Sequence, residues 1–411
     1  MKILNLGSSN IDYVYSLDRI VTPGETLTAE KMEIFPGGKG LNQSIAVARA
    51  GAPVYHAGCV GEDGDLLLDI LSESGVDTSY ISRVREKNGH AIIQVNAEGE
   101  NCIFVYPGSN ACVTTAYIDR VLEDFSAGDI LLLQNEVTNI DYAIRAAHEK
   151  GMQIVLNPSP FRRELRELDL SQITYLVLNE VEAAEYSGSD VRERTLAFFR
   201  EHYPSLRVML TLGKNGCVYM DKTGEYYHPI FDVQAVDTTA AGDTFTGYFI
   251  AGLYRGEAVE RILKTASCAS AITVSRMGAA PSIPTRSEVK EALGIFSVKH
   301  GNQRAEHLRR RVEEYVLTHL SDASLSGLSE VLGYSAVYTG TLFSRLVGQS
   351  FTAYLQEKRL VRAHALLTEE GLSVGEIIAA VGYDNESYFR KLFKERYGKN
   401  PKAYRMEREK R

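Results

Sequence analysis

The sequence predicts a doubly wound α/β domain with a mostly parallel sheet, followed by an all-α domain. Three observations carry this. Short apolar runs bounded by polar turns, such as Ile130-Leu131-Leu132-Leu133, Ile154-Val155-Leu156 and Tyr175-Leu176-Val177-Leu178, alternate with helical patterns such as Ile140 to Lys150. Runs of this kind fit strands buried on both faces of a sheet. After about residue 297 only helical periodicity remains. The charge balance breaks there too: from Lys299 onward there are 19 Lys and Arg against 14 Asp and Glu, leaving 26 against 39 before it. Such an asymmetry fits two domains with different partners.

The expected division is a first domain over 1–296, a linker over 297–305 and a second domain over 306–411. The linker, Ser297 to Ala305, is polar, holds Gly301 and follows a short helix from Glu288 to Leu293. At 411 residues and 44% hydrophobic content, the chain is long enough to bury more than one core. Met32 to Phe35, Ala91 to Asn96 and Cys102 to Tyr106 read as strands of a separate small sheet. Cys59, Cys102, Cys112, Cys217 and Cys268 form no Cys-x-x-Cys pair, so each is expected as a small buried hydrophobe rather than part of a disulfide framework. No signal peptide and no apolar run of about 18 residues is present, so a cytoplasmic protein without membrane contact is expected.

The most informative run is Val236-Asp237-Thr238-Thr239-Ala240-Ala241-Gly242-Asp243-Thr244-Phe245. A strand-like stretch from Tyr226 to Val236 precedes it, and a helical pattern from Phe245 to Tyr254 follows. Small residues at Ala240, Ala241 and Gly242 leave backbone N–H groups bare at a helix start, where they and the helix dipole attract anions. Asp243 lies one residue on, placed to take a proton from a hydroxyl beside a bound phosphate. That pairing suits phosphoryl transfer to an alcohol. An ordinary strand–turn–helix with Asp near its start would read the same way.

Pro36-Gly37-Gly38-Lys39-Gly40-Leu41-Asn42-Gln43 precedes an alanine-rich helix from Ser44 to Ala50, and Asn10-Ile11-Asp12 reads as the end of the first strand. Glycine pairs let a polyhydroxylated ligand approach the backbone, and Asn and Asp match sugar hydroxyls. The run is no P-loop, since Gly-x-x-x-x-Gly-Lys-Ser/Thr is missing. A flexible surface loop is the competing reading.

Taken together, residues 1–295 resemble the ribokinase-like (phosphofructokinase-B-type) carbohydrate kinases. The resemblance implies sugar binding by Asn10, Asp12, Gly38, Lys39, Asn42 and Glu136, with Asp243 as catalytic base beside an anion hole at Ala240, Ala241 and Gly242. It implies nucleotide contacts at Asn179 and Glu182 of an Asn-x-x-Glu motif, and at Thr211, Gly213, Gly216 and Gly242. ATP and Mg²⁺ are the implied cofactors. A K⁺ site is implied at the Asp237 carboxylate, the Ser282 hydroxyl and the carbonyls of Thr239, Thr273, Arg276 and Gly278. Pro23 to Thr26 and Asn96 to Asn101 resemble segments of the family's lid, a small sheet over the sugar that often forms a homodimer contact. The sugar-site set is most like that of the family's ribose kinases, so D-ribose is the expected substrate.

The helical tail repeats itself. Leu332-Gly333-Tyr334, Leu342-Phe343 and Tyr354 recur as Val381-Gly382-Tyr383, Leu392-Phe393 and Tyr404, at offsets of 49 to 50 residues. Each copy reads as helix, glycine turn, helix, which suits a major groove of double-stranded DNA. A helical oligomerisation module is the bland alternative. Residues 304–411 resemble the arabinose-regulator (AraC/XylS) type of DNA-binding domain, through Tyr354-Leu355-x-x-x-Arg359-Leu360, Glu376-Ile377-x-x-x-Val381-Gly382-Tyr383, Tyr388-Phe389-x-x-x-Phe393-Lys394 and Gly398-x-x-Pro401-x-x-Tyr404-Arg405. This implies operator contacts by Asn385, Glu386, Arg390 and Lys391, with Phe389 and Phe393 in the core. In the first copy, Gly340 and Thr341 stand at the positions of Arg390 and Lys391.

Three classes of function remain: a kinase that also regulates transcription, a transcription factor using the kinase fold as sugar sensor and dimeriser, and a kinase with a helical dimerisation tail. The intact base and anion hole favour a working kinase, and Arg390 with Lys391 favours DNA. His56, His148 and His364 have no metal-ligand spacing and read as surface or packing residues. Arg309-Arg310-Arg311 reads as a phosphate contact or a solvated helix start.

Overall fold

A computed structural model of the chain describes residues 1–96, 100–296, 303–347, 349–367 and 372–408. It falls into two compact units, Met1–Lys299 and His300–Arg411. The first unit begins β1 (Ile3–Leu6), β2 (Asn10–Ser16), β3 (Lys31–Gly37), α1 (Lys39–Arg49), β4 (Tyr55–Val60), α2 (Asp65–Glu73), β5 (Asp77–Arg83), β6 (Gly89–Val95), β7 (Asn101–Tyr106) and α3 (Thr115–Leu122). It continues β8 (Ile130–Gln134), α4 (Ile140–Glu149), β9 (Gln153–Asn157), β10 (Tyr175–Asn179), α5 (Glu180–Ser187), α6 (Arg192–His202), β11 (Arg207–Thr211), β12 (Cys217–Asp221) and β13 (Gly224–His228). Three helices close it: α7 (Ala241–Tyr254), α8 (Val259–Val274) and α9 (Arg286–Ile295).

Nine strands form one sheet in the order β13-β12-β11-β10-β9-β8-β1-β4-β5. All its pairings are parallel except β11–β12 and β12–β13. Successive side chains point to opposite faces. Ile3, Leu132, Val155 and Val177 therefore enter one core, while Leu4, Leu131, Leu133, Ile154, Leu156 and Leu176 enter the other. Both faces are buried, which explains the unbroken apolar runs. From β1 the chain proceeds outward to β4 and β5 on one side, and β8 to β11 build the other. That reversal opens a crevice beyond the carboxyl ends of β1 and β8, where ligands of such sheets bind.

A second sheet, ordered β3-β2-β6-β7, holds the predicted small strands. It also holds Asn10 and Asp12, which corrects one expectation. The first strand ends at Leu6, and Asn10 opens β2 of the small sheet. Gly7-Ser8-Ser9 breaks the strand so that this backbone can pass under α1, where the Leu41 N–H donates to the Ser8 carbonyl at 2.8 Å. The Tyr-rich strand also stops early, at His228, because Pro229 has no N–H to continue a ladder. Of the Asn96–Asn101 segment, residues 97–99 lie outside the described residues. Cys102 is exposed on β7, unlike buried Cys59, Cys217 and Cys268, because β7 is an edge strand.

The second unit is all-helical: α10 (Gln303–Thr318), α11 (Leu325–Leu332), α12 (Ala336–Val347), α13 (Phe351–Leu366), α14 (Val374–Ala380), α15 (Glu386–Tyr397) and α16 (Pro401–Arg408). Residues 297–302 of the expected linker lie outside the described residues, and α10 begins at Gln303. The sequence repeat becomes two cores. Leu328, Leu332 and Phe343 fill the first, and Ile377, Val381, Phe389 and Phe393 fill the second. Helix α13 serves both, giving Phe351, Tyr354 and Leu355 to one and Leu360, Ala363 and Leu366 to the other. Gly333 and Gly382 take φ of 73° and 83° at the two turns, a left-handed conformation that glycine adopts without strain. Among the described residues, no helix is long and apolar enough to cross a membrane.

Candidate active site and DNA-facing helix

The chemistry of the first unit gathers where α1 and α7 cross. Gly247 of α7 makes the crossing tight: a Cβ there would overlap Ala46 of α1. This approach brings three α1 side chains to the Asp243 carboxylate, which is only 6% exposed. Asn42 Nδ2 donates to Asp243 Oδ2 at 3.2 Å and Gln43 Nε2 donates to Oδ1 at 2.8 Å. Lys39 Nζ lies 4.0 Å from Oδ1. The Asp243 carboxylate, against the cost of burial and with help from Glu136 and Glu182, holds the Lys39 ammonium above its ordinary pKa.

Helix α7 starts without a side-chain cap. Its N-cap, Ala240, takes a left-handed φ of 59°, a conformation non-glycine residues adopt at a cost and mostly at functional sites. The Ala241 N–H makes a long 3.3 Å bond to the Thr238 carbonyl. Among the described residues, the N–H groups of Ala240, Gly242 and Asp243 have no partner. Bare amides therefore crown the carboxylate, as an anion hole requires.

Across the crevice stands the expected sugar-binding set. Glu136, just beyond β8, accepts the Lys39 N–H at 2.9 Å and the Ser8 hydroxyl. Burial raises its pKa, although the Ser8 and Lys39 contacts pull the other way. Asp12, on β2, is pushed up to about 7 by burial and by the Glu136 carboxylate. Asn10 is 4% exposed, and its Oδ1 accepts from Asn110 Nδ2 at 2.7 Å. Gly38, with φ of 93°, caps α1. Asn42 Oδ1 is buried with no partner among the described residues, an acceptor suited to a ligand hydroxyl.

On the other side of Asp243 lies a cavity of about 210 Å³. Lys39, Asn179, Glu182, Thr211 and the Ala240–Asp243 turn line it, together with Asn157, Ser159, Thr238 and Thr246, which the sequence reading did not single out. The Asn-x-x-Glu motif proves to be a capping box. Asn179 accepts the Glu182 N–H at 2.9 Å, and Glu182 accepts the Asn179 N–H at 3.0 Å, fixing both at the start of α5. Gly213 and Gly216 bend the turn after β11 rather than line the cavity.

Asp237 accepts from the Thr239 N–H at 2.9 Å, the Thr239 hydroxyl at 2.6 Å and the Gly278 N–H at 2.9 Å. Burial opposes its ionisation, but these donors outweigh it and lower its pKa. Among the described residues, the carbonyls of Thr239, Arg276 and Gly278 accept no hydrogen bond, whereas that of Thr273 accepts the Arg276 N–H at 3.1 Å. Ser282 Oγ donates to the Ala279 carbonyl at 2.7 Å. An ionised carboxylate among free carbonyls fits a hard cation. No cluster of three His, Cys, Asp or Glu suited to a metal occurs among the described residues.

In the second unit, α15 buries Phe389 and Phe393 and turns its other faces outward. Asn385 caps the helix, accepting the Tyr388 N–H at 2.9 Å. Arg390 pairs with Glu386 at 2.9 Å, and Lys391 lies 4.0 Å from Glu395. Such exposed intrahelical pairs are weak. Among the other residues read from sequence, His56 is buried between Ser9 and Ser44, His364 stacks on Tyr397 at 4.5 Å between ring centroids, and His148 is exposed. Arg311 donates to the Val331 carbonyl rather than standing free.

A doubly wound sheet with a small second sheet, a buried carboxylate and bare helix amides defines a class of enzyme, the phosphotransferases acting on alcohols. Residues 1–286 match the model of the pfkB family of carbohydrate kinases, and the chain belongs to that family as an ATP-dependent carbohydrate kinase. Residues 328–407 match a helix-turn-helix domain, of AraC type. The chain is 36% identical over 292 residues to a ribokinase of Bacillus subtilis, covering 70% of this chain and 98% of the relative. It is 32% identical over 309 residues to a deoxyribokinase of Salmonella typhi, covering 72% and 99%. Among solved structures, ribokinase from Cryptococcus neoformans in complex with ADP superposes with a TM-score of 0.64 at 34% identity, covering 71% and 99%.

Proposed function

We propose that the first unit phosphorylates D-ribose to ribose 5-phosphate and that the second binds a double-stranded DNA operator, in one cytoplasmic chain divided at the 297–305 linker. The observation that carries the kinase half is the Asp243 carboxylate, buried and held by Asn42 and Gln43 beneath the uncapped start of α7. The sugar lies between Asn10, Asp12, Asn42 and Glu136, with its terminal hydroxyl toward Asp243. Asp243 takes the hydroxyl proton while the Ala240, Gly242 and Asp243 amides and Lys39 draw the negative charge of the migrating phosphoryl group. ATP occupies the cavity edged by Asn179, Glu182 and Thr211. Asn179 and Glu182 would stand on the Mg²⁺ side of the phosphates, where the ion would neutralise phosphate charge. The Asp237 carboxylate and the carbonyls of Thr239, Arg276 and Gly278 would hold K⁺, whose charge would steady the turn that carries the anion hole.

Exposed Met32, Ile34, Ile103, Phe104 and Val105 on the small sheet support a homodimer through that sheet, because edge strands with apolar faces seek cover. In the second unit, Arg390 and Lys391 approach the major groove while Asn385 and Glu386 open the helix toward base edges. The deciding experiment is a coupled ATP-consumption assay across ribose, 2-deoxyribose, hexoses and nucleosides, with and without potassium. The reading expects ribose to give the highest kcat/KM and potassium to raise it. Turnover of none of these sugars overturns it, and equal rates without potassium remove the K⁺ site.

A further inference from the structure

A row of buried polar side chains runs from the base into the centre of the first unit. Gln43 Nε2 donates to Asp243 Oδ1 at 2.8 Å and to Asn157 Oδ1 at 3.0 Å. Gln43 Oε1 accepts from Gln134 Nε2 at 2.7 Å, and the same nitrogen donates to Asn5 Oδ1 at 3.0 Å. Asn5 Nδ2 donates to Ser44 Oγ at 2.8 Å, and Ser44 Oγ meets His56 Nδ1 at 2.8 Å. His56 Nε2 meets Ser9 Oγ at 3.2 Å, the Ser9 N–H donates to Asn110 Oδ1 at 3.0 Å, and Asn110 Nδ2 reaches Asn10. Asn5, Gln43, Ser44 and Gln134 are 0% exposed, and His56 is 1% exposed.

Stability does not demand such a row. Replacing both partners of a buried hydrogen bond with apolar groups of the same shape is often neutral. The neighbours of these residues on β1 and β8 are Ile and Leu, as a doubly covered sheet prefers. Orientation is what the row adds: each of its amide nitrogens donates, although Gln134 Oε1 has no partner among the described residues. Both hydrogens of Gln43 Nε2 are taken and its oxygen faces a donor, so the amide cannot turn over. Its N–H thus points at one oxygen of Asp243 while Asn42 holds the other.

We infer that Gln43 is a positioning residue for phosphoryl transfer, fixing the Asp243 carboxylate through a buried amide row anchored in β1 and β8. Gln43 is fully buried and does not line the phosphate-side cavity, so it acts through Asp243. This rests on the carbohydrate-kinase reading. A donor aimed at a carboxylate favours its charged form, and losing such a donor leaves less of a carboxylate charged at low pH.

The test uses the full chain with Gln43→Met, which keeps length and removes donor and acceptor together. The expected result is a kcat lower by about 10–100-fold, a sugar KM changed by less than about threefold, and an acid limb of the kcat–pH profile displaced upward by about one pH unit. Gln43→Glu, which sets a second carboxyl against Asp243, displaces that limb further. An unmoved acid limb in a folded Gln43→Met protein overturns the inference. Should these variants not fold, side-chain amide NMR of the wild type decides: one Gln NH₂ pair, slow to exchange, titrates together with the acid limb, and the absence of such a pair overturns the assignment. A wild type without sugar turnover fails the kinase reading itself. An active wild type with ordinary Gln43 variants fails only the positioning role.

Discussion

Asp243 in the first unit is 6% exposed and bonded to Asn42, 201 positions away in sequence. Arg390 in the second unit is 41% exposed and bonded to Glu386, four positions away. The first is held by the fold, through two helices packed closely at Gly247 and an amide row behind them. The second is held by its own helix. A catalytic group gains from a dry, preorganised surrounding, because electrostatic effects are stronger there and cost no reorganisation. A DNA-contacting group must exchange partners on binding, so weak local pairs serve it better.

The largest expected effect tests the buried side of this contrast. Asp243→Asn keeps the shape and the Asn42 side of the site but removes the base, so kcat falls by about 10²–10⁴-fold while sugar binding persists. Single-turnover phosphorylation and sugar titration measured together check this. Near wild-type turnover would show that the carboxylate is structural and erase the contrast.

The same contrast explains what could be read from the sequence. The doubly wound sheet was legible because burial on both faces leaves runs such as Leu131-Leu132-Leu133, and the helical repeat was legible because its turns need Gly333 and Gly382. Asp243 and the Ala240–Gly242 turn were legible as a local run. Gln43, Asn157 and Gln134 were not, since each is an ordinary amide whose meaning lies in partners 91 to 200 positions away. The strand end was misplaced at Asn10 because the loop signal of Gly7-Ser8-Ser9-Asn10 was passed over, and its break serves contact with α1. The Asn-x-x-Glu pair had a local signal, the capping box, that explains its geometry independently of any ligand.

On the exposed side, the two helix-turn-helix motifs give the next largest effect. Helix α15 presents Arg390 and Lys391 where α12 presents Gly340 and Thr341. Arg390→Ala is expected to weaken specific operator binding by about 1–3 kcal/mol, or roughly 5–150-fold, if Arg390 reads a base edge. Thr341→Ala is expected to change it less, and a gel-shift titration of both ranks them. The reverse ranking would make the first motif the reader.

A smaller effect concerns pH. Asp12 is pushed up to about 7 by burial and Glu136, so it gains its charge near neutrality. As a carboxylate it accepts sugar hydroxyls on both oxygens, and once protonated it loses acceptor capacity. Sugar affinity should therefore rise between pH 6 and 8, by at most about tenfold per unit for one proton, and then level off. Asp12→Asn should bind more weakly with a flat profile. The raised pKa also has a stability consequence of opposite sense. The folded chain holds this proton more tightly than the unfolded chain, so its contribution is full below about 4 and is lost as pH rises through about 7. A wild-type sugar KM independent of pH across this range would remove Asp12 from the sugar site.

The smallest effect sharpens the comparison between the two motifs. Gly340 lies inside α12, where Arg390 lies in α15, and glycine in a helix interior costs about 0.5–1 kcal/mol relative to alanine. Among the described residues, a Cβ at Gly340 would meet only Leu325 Cδ2, at 3.4 Å, the end of a flexible side chain. Gly340→Ala should therefore stabilise α12, slowing its amide hydrogen exchange by about 2–5-fold, the same 0.5–1 kcal/mol expressed as an opening equilibrium. Operator affinity should stay unchanged, because the methyl group adds no donor for a base edge. If exchange slows and affinity rises together, then ordering of α12 is part of DNA binding and the first motif contributes through its helix rather than its side chains. If affinity falls, glycine is there to let the duplex backbone approach, and the two motifs share the groove by different means.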